Sequence, residues 1–122
     1  MAKSIRKQLA DQLEPLLPGV KIVPASRNLD TLTQPVLQLS LRELSRLKDA
    51  PIGAHRAEFI VTIITPITTP QRAEDDLDSL VADLIYGIDQ IDGIGWETAT
   101  KVTYSERHLA YDVVVFAAAT KN

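Results

Sequence analysis

The sequence predicts an α+β fold: a mostly antiparallel sheet of four to five strands with two helices packed on it, in the order α-β-β-β-α-β-β, with a projecting β-hairpin arm. Three observations carry this expectation. Ala73, Leu77, Leu80, Val81, Leu84, Ile88 and Ile91 hold one stripe at helical spacing over roughly four turns or more. Arg56 to Thr65 is β-branched and apolar at both parities, the pattern of a central strand covered on both sides. Two further β-rich runs flank a turn at Glu106-Arg107, as in a hairpin.

The first element is a helix, with Ile5, Leu9, Leu13 and Leu16 on one side and Lys7 and Asp11 four apart on the wet side. Pro15, then Pro18-Gly19, ends it. Val20 to Val23 reads as a short strand stopped by Pro24, and Ala25 to Pro35 as an exposed polar loop. From Val36 to Leu47, Leu37, Leu39 and Leu41 alternate with Gln38, Ser40 and Arg42. Past Arg42 the alternation blurs towards a helical turn, and strand is the preferred reading. Asp49 to Gly53 is turn chemistry before the apolar Arg56–Thr65 strand.

Thr69-Pro70 then offers a hydroxyl at the N-cap and proline at the first helical position of the long helix, which Gly93-Ile94-Gly95 ends. A two-residue turn at Glu106-Arg107 would set Tyr104 opposite Leu109, Val102 opposite Tyr111, Thr100 opposite Val113 and Thr98 opposite Val115. The same register pairs Lys101 with Asp112, opposite charges across the ladder, so one register satisfies both an apolar face and a charge match.

Composition bounds the function. The 122 residues fit one domain spanning 1–122, with 45% hydrophobic and 24% charged residues, an ordinary globular balance. The net charge of −3 does not favour nucleic-acid or anionic membrane surfaces. Without cysteine, disulfides, thiolate catalysis and cysteine-ligated metals are excluded. The basic start, Met1 to Lys7, leads into Gln8, Asp11 and Glu14 rather than an apolar signal core. No apolar run approaches the roughly 20 residues of a membrane span, so a chain made and kept in the soluble phase is expected.

No catalytic constellation emerges. Glu74, Asp75, Asp76 and Asp78 are too close in sequence to converge well on a metal, and read as a solvated acidic face complementing the helix dipole. His55 and His108 lack metal-ligand spacing. Ser105-Glu106-Arg107-His108 are neighbours in a hairpin and cannot form a relay triad. Gly93-Ile94-Gly95 lacks the third glycine and the lysine of a phosphate loop. The expectation is no enzyme, no cofactor and no metal.

Two features exceed what a small core needs. A first hairpin strand of about 12 residues would span about 40 Å, against a usual strand length of about 5–6 residues. Its distal part carries Arg42, Arg46, Lys48 and Arg56 around Leu44, Leu47, Pro51 and Ile52, a mixture suited to docking on another chain. In the expected register, Ala99, Val114 and Phe116 fall on the polar face of the last hairpin, where either another part of the chain or a neighbouring copy would cover them.

The layout resembles the tail-terminator (tail-completion) family of long-tailed bacteriophages. The resemblance extends over nearly the whole chain. It rests on the N-terminal helix, the Leu44 to Ala54 arm with its following Phe59–Thr65 strand, the Thr69-Pro70-Gln71-Arg72-Ala73-Glu74-Asp75-Asp76-Leu77-Asp78 helix start, and the closing Ala99–Val102 and Tyr111–Val115 hairpin. It implies a structural virion protein without catalytic residues, made in the host cytoplasm and located at the head–tail junction. The implied assembly is a ring, a hexamer in that family, which caps the tail tube and joins it to the head or neck. Its implied partners are copies of itself, a tail-tube protein and a head-completion or connector protein, with DNA only as cargo through the lumen and no membrane. The alternative is a small ligand-binding or regulatory α+β domain, since such sheets host many functions.

Overall fold

The computed structural model describes residues 5–23, 32–46, 55–105 and 108–119. Helix α1 (Ile5–Leu13) runs into a 3-10 turn at Glu14–Leu16. Pro15 has no amide to continue the α-helical ladder, so the chain tightens there. Leu17 and then Val20 donate to the carbonyls three residues back, at 3.3 and 3.2 Å, and turn the chain into β1 (Lys21–Val23). β2 (Val36–Arg46), β3 (His55–Ile64), α2 (Pro70–Asp89), β4 (Ile94–Ser105) and β5 (His108–Ala119) follow. The Asp49–Gly53 turn, the Glu106-Arg107 turn and the connection from Pro24 to Thr31 lie outside the described residues.

The strands form one mixed sheet in the order β1-β2-β3-β5-β4. β1 pairs with β2 in parallel, and the remaining pairs are antiparallel. This is the α+β class with two helices on a five-stranded sheet. β3 lies at the centre of the order, as its apolar sequence demands.

Both helices sit on the same side. Leu9, Ala10 and Leu13 of α1 and Leu77, Val81, Leu84 and Ile88 of α2 join Leu37, Leu39, Ala57, Phe59, Val61, Ile63, Val113 and Val115 in one buried cluster. These strand residues share one parity in the ladder, so they all project toward the helices. The expectation that β3 is covered on both sides is therefore corrected. Ala57, Phe59, Val61 and Ile63 are fully buried, whereas Glu58, Ile60 and Thr62 on the far side are half-buried. Both helices lie on one side, and among the described residues the other side is buried at one end, at Val23, Val36, Gln38, Ile64 and Ala110.

The expected register of the last hairpin is also corrected. Ser105 does lie opposite His108, as a two-residue turn requires, but the register shifts before Thr103, which lies opposite Leu109. Tyr104 is the extra residue of that bulge, and a slip of one exchanges the faces of everything beyond it. Lys101 accordingly lies opposite Tyr111, and Asp112 opposite Thr100. Lys101 reaches Glu74 of α2 at 3.6 Å, while Asp112 accepts a hydrogen bond from Thr62 on the open face at 2.7 Å.

α2 carries two smaller departures. Thr69 occupies the N-cap with no side-chain cap bond, and its carbonyl accepts from Ala73 at 2.8 Å. Leu80 is half-buried rather than core. The acidic residues do not form a purely solvated face, and none falls in the first turn. Glu74 meets Lys101, Asp76 accepts from Thr65, and Asp78 accepts from Tyr111 at 3.3 Å. The packing of α2 on the sheet thus brings these acids to polar groups of β4, β5 and the segment after β3.

Candidate functional site

The residues singled out for docking divide into groups once the fold is in place. Leu47, Lys48, Pro51 and Ile52 lie outside the described residues. Ala99 lies opposite Val113 and packs against the main core on the helix side. The slipped register removes it from the open face, so it is no longer a surplus apolar residue there. Val114 and Phe116 do stand on the open face, half-buried. Val114 lies between Ile60 and Thr98, and Phe116 between Glu58 and Gly95.

Arg42, Leu44 and Arg46 belong to the outer half of β2, where every residue from Arg42 to Arg46 is exposed. β1 reaches only Val36, Leu37 and Gln38, so it leaves this half without a described neighbour on its outer side. A bulge lies between Leu41 and Glu43, with Arg42 as its extra residue. Beyond it Leu44 lies opposite Ala57 and Arg46 opposite His55, which directs both to the helix side of the sheet. Both are exposed, Leu44 to 56%.

The bulge also aims Arg42 at the open face. Its Nε lies 3.4 Å from Glu58. Glu58 approaches Arg56 at 3.9 Å, and Arg56 approaches Glu97 at 3.9 Å. Glu97 is itself the extra residue of a second bulge, between Trp96 and Thr98. The Arg56 guanidinium lies 4.2 Å from the centroid of the Phe116 ring. A charged ladder thus crosses the open face from β2 to β4, seated on an aromatic ring. Each pair contributes little alone, about 0–1 kcal/mol, and together they link β2, β3 and β4 across the open face. Arg42 and Arg56 are therefore engaged within the chain, whereas no ion pair of Arg46 is found among the described residues.

Sequence reasoning missed Glu58, Glu97 and Gly95 as parts of this arrangement. The available signal was the glycine inside a strand pattern, which marks a close approach. A Cβ at position 95 would stand 2.7 Å from the Phe116 ring, so glycine is what lets the ring approach β4 there.

Other chemistry has little geometry behind it. Among the described residues no three of histidine, aspartate and glutamate are grouped to hold a metal ion. His55 lies opposite Ala119, at the far end of β5 from His108, so the two histidines stand at opposite ends of the sheet. A cleft of about 230 Å³ between α1 and β1 is lined by Lys7, Asp11, Glu14 and Lys21 with Ala10, Val20 and Ile22. It is smaller than the roughly 300–1,000 Å³ of ordinary ligand sites and mixes both charge signs, and a more open depression of about 440 Å³ beside it is lined by Glu14, Pro15, Leu17, Pro18, Gly19 and Val20. No helix among the described residues is long and apolar enough to cross a membrane. Compared with known protein-family models and with curated proteins, the sequence finds no match in either set.

Proposed function

We propose that this chain is a structural subunit that assembles with copies of itself into a closed ring, and that the ring is the tail terminator of a long-tailed phage. The observation that carries self-assembly is the outer half of the β2–β3 hairpin. Leu44 is 56% exposed on a strand segment with Arg46 beside it, and the charged ladder through Arg42, Glu58, Arg56 and Glu97 braces that segment on its open face. A braced, exposed, partly apolar strand end suits a protein contact better than a solvated loop. We read it as a projecting arm. The tail-terminator assignment rests on the resemblance of the arm, the α2 start and the last hairpin to that family. In this reading the ring, a hexamer, caps the tail tube, meets a head-completion or connector protein on its other side and passes DNA through its lumen within the virion.

The test is the double variant Leu44→Asp with Arg46→Glu. Both side chains are exposed, so the fold should keep its circular dichroism and its stability to within about 0.5 kcal/mol. Because a ring repeats one heterologous contact at every interface, the variant should abolish the ring. It should be monomeric in size-exclusion with light scattering and should leave phage tails unjoined in a complementation assay. Rings and joined tails formed by this variant would overturn the reading.

A further inference from the structure

We infer that the surface receiving the arm is the outer stripe of α2 on a second copy of this chain, with Leu44 against Tyr86 and Arg46 against Asp83. The inference rests on the reading of the arm as a self-contact and names the other half of that contact.

α2 carries Glu74, Asp75, Asp76, Asp78, Asp83 and Asp89 against the single base Arg72. Four of these acids are engaged within the chain: Glu74 by Lys101, Asp76 by Thr65, Asp78 by Tyr111 and Asp89 by the Trp96 indole at 3.2 Å. Asp75 and Asp83 are exposed, and neither has an ion pair or side-chain hydrogen bond among the described residues. With Ser79 and Tyr86 they line the side of α2 opposite its buried stripe of Ala73, Leu77, Val81, Leu84 and Ile88. Tyr86 is 71% exposed, and it and Leu44 are the large hydrophobic side chains left exposed among the described residues.

An exposed hydrophobic residue by itself is ordinary. What joins these two is complementarity. Each stands beside an unpaired charge, and the two charges are opposite. Leu44 and Arg46 are two apart on a strand, roughly 7 Å. Asp83 and Tyr86 are three apart on a helix, roughly 5–6 Å between Cβ atoms, a difference a long arginine side chain absorbs. The arm and the helix stripe are different surfaces, so one copy can offer its arm to a second and its stripe to a third, the head-to-tail repeat that a ring requires.

The chain has no cysteine, which permits a direct test. Leu44→Cys and Tyr86→Cys chains are made separately, mixed at concentrations where the wild-type chain assembles, and oxidised mildly. A disulfide-linked dimer should form in the mixture well beyond either variant alone. In parallel, Arg46→Glu should weaken assembly roughly tenfold or more, and Asp83→Arg in the same chain should restore it. If Arg46→Glu weakens assembly, but Asp83→Arg does not restore it and the mixture yields no excess dimer, the arm remains a contact and this receiving surface is wrong. Dimers of Leu44→Cys alone, matching those of the mixture, would show arm meeting arm and overturn it as well. A wild-type chain that never self-associates would overturn both this inference and the reading on which it rests.

Discussion

The guanidinium of Arg56 lies over the ring of Phe116, 4.2 Å from its centroid, and that ring in turn lies over the backbone of Gly95. The stack joins three strands through one aromatic side chain and fixes where the charged ladder crosses the open face. Gly95→Ala would place a methyl 2.7 Å from the ring and force it to move. The expected cost is about 1–3 kcal/mol, as for other overpacked sites, read in a urea titration. Phe116→Leu removes the obstacle, so the double variant should be less destabilised than the sum of the two single changes. Additive costs would show that the ring and the glycine do not press on each other.

Lys101 supplies a second check, because two acids compete for it on paper and one meets it in space. A double-mutant cycle on Lys101→Ala and Glu74→Ala should show a coupling of roughly 0.2–1 kcal/mol, the range of exposed pairs. The same cycle on Lys101 and Asp112 should show none, since the two side chains project from opposite faces of the sheet. Coupling to Asp112 instead would mean that the bulge at Tyr104 is absent in solution.

The stripe on α2 separates core from surface residue by residue. Leu84 is fully buried against the sheet, and Leu84→Ala should cost about 2–5 kcal/mol. Tyr86→Ala, two residues further along the same helix, should change the stability of the isolated chain by no more than about 0.5 kcal/mol. Thermal or denaturant unfolding of both variants checks the pair, and similar losses at the two positions would contradict the helix orientation.

These residues also show what could be read from sequence and what could not. The α2 stripe and the central apolar strand were legible because a period of 3.6 or a two-faced apolar run depends only on the local chain. The Lys7–Asp11 pair, at 3.0 Å, was legible for the same reason. The bulges were not. Arg42, Glu97 and Tyr104 are ordinary strand residues by composition, and an extra residue in one strand leaves no mark except a broken alternation. At Arg42 that break appeared as Leu44 falling out of step with Leu41 and was read as blur. At Tyr104 the apolar face and the apparent charge match concealed it. The ladder was hidden for another reason. Bringing Arg56 near Glu97 requires β5 to lie between β3 and β4, a fact of topology that no local pattern contains. The acids of α2 read as solvated for the same reason, since Lys101, Thr65 and Tyr111, which bind three of them, lie outside the helix and reach it only through the fold.

Thr65 illustrates how a single buried hydroxyl organises the passage from β3 into α2. Its side chain is fully buried, donates to Asp76 at 2.8 Å and accepts from the Ile67 amide at 3.1 Å. The strand ends one residue earlier at Ile64, and Thr69 provides no side-chain cap for the helix. The hydroxyl thus ties the connecting loop to the second turn of α2 in place of a cap. Thr65→Val keeps the shape but removes both bonds. It leaves an amide and a carboxylate without their partner, which typically costs about 1–3 kcal/mol. Asp76→Asn should cost less, because the amide oxygen still accepts from the hydroxyl. Denaturant titration of the two variants tests the order, and amide hydrogen exchange at Ile67 tests the mechanism. Faster exchange at Ile67 in Thr65→Val, with the wild-type rate kept in Asp76→Asn, is the expected result. Equal protection of Ile67 in wild type and Thr65→Val would show that the hydroxyl does not hold this amide.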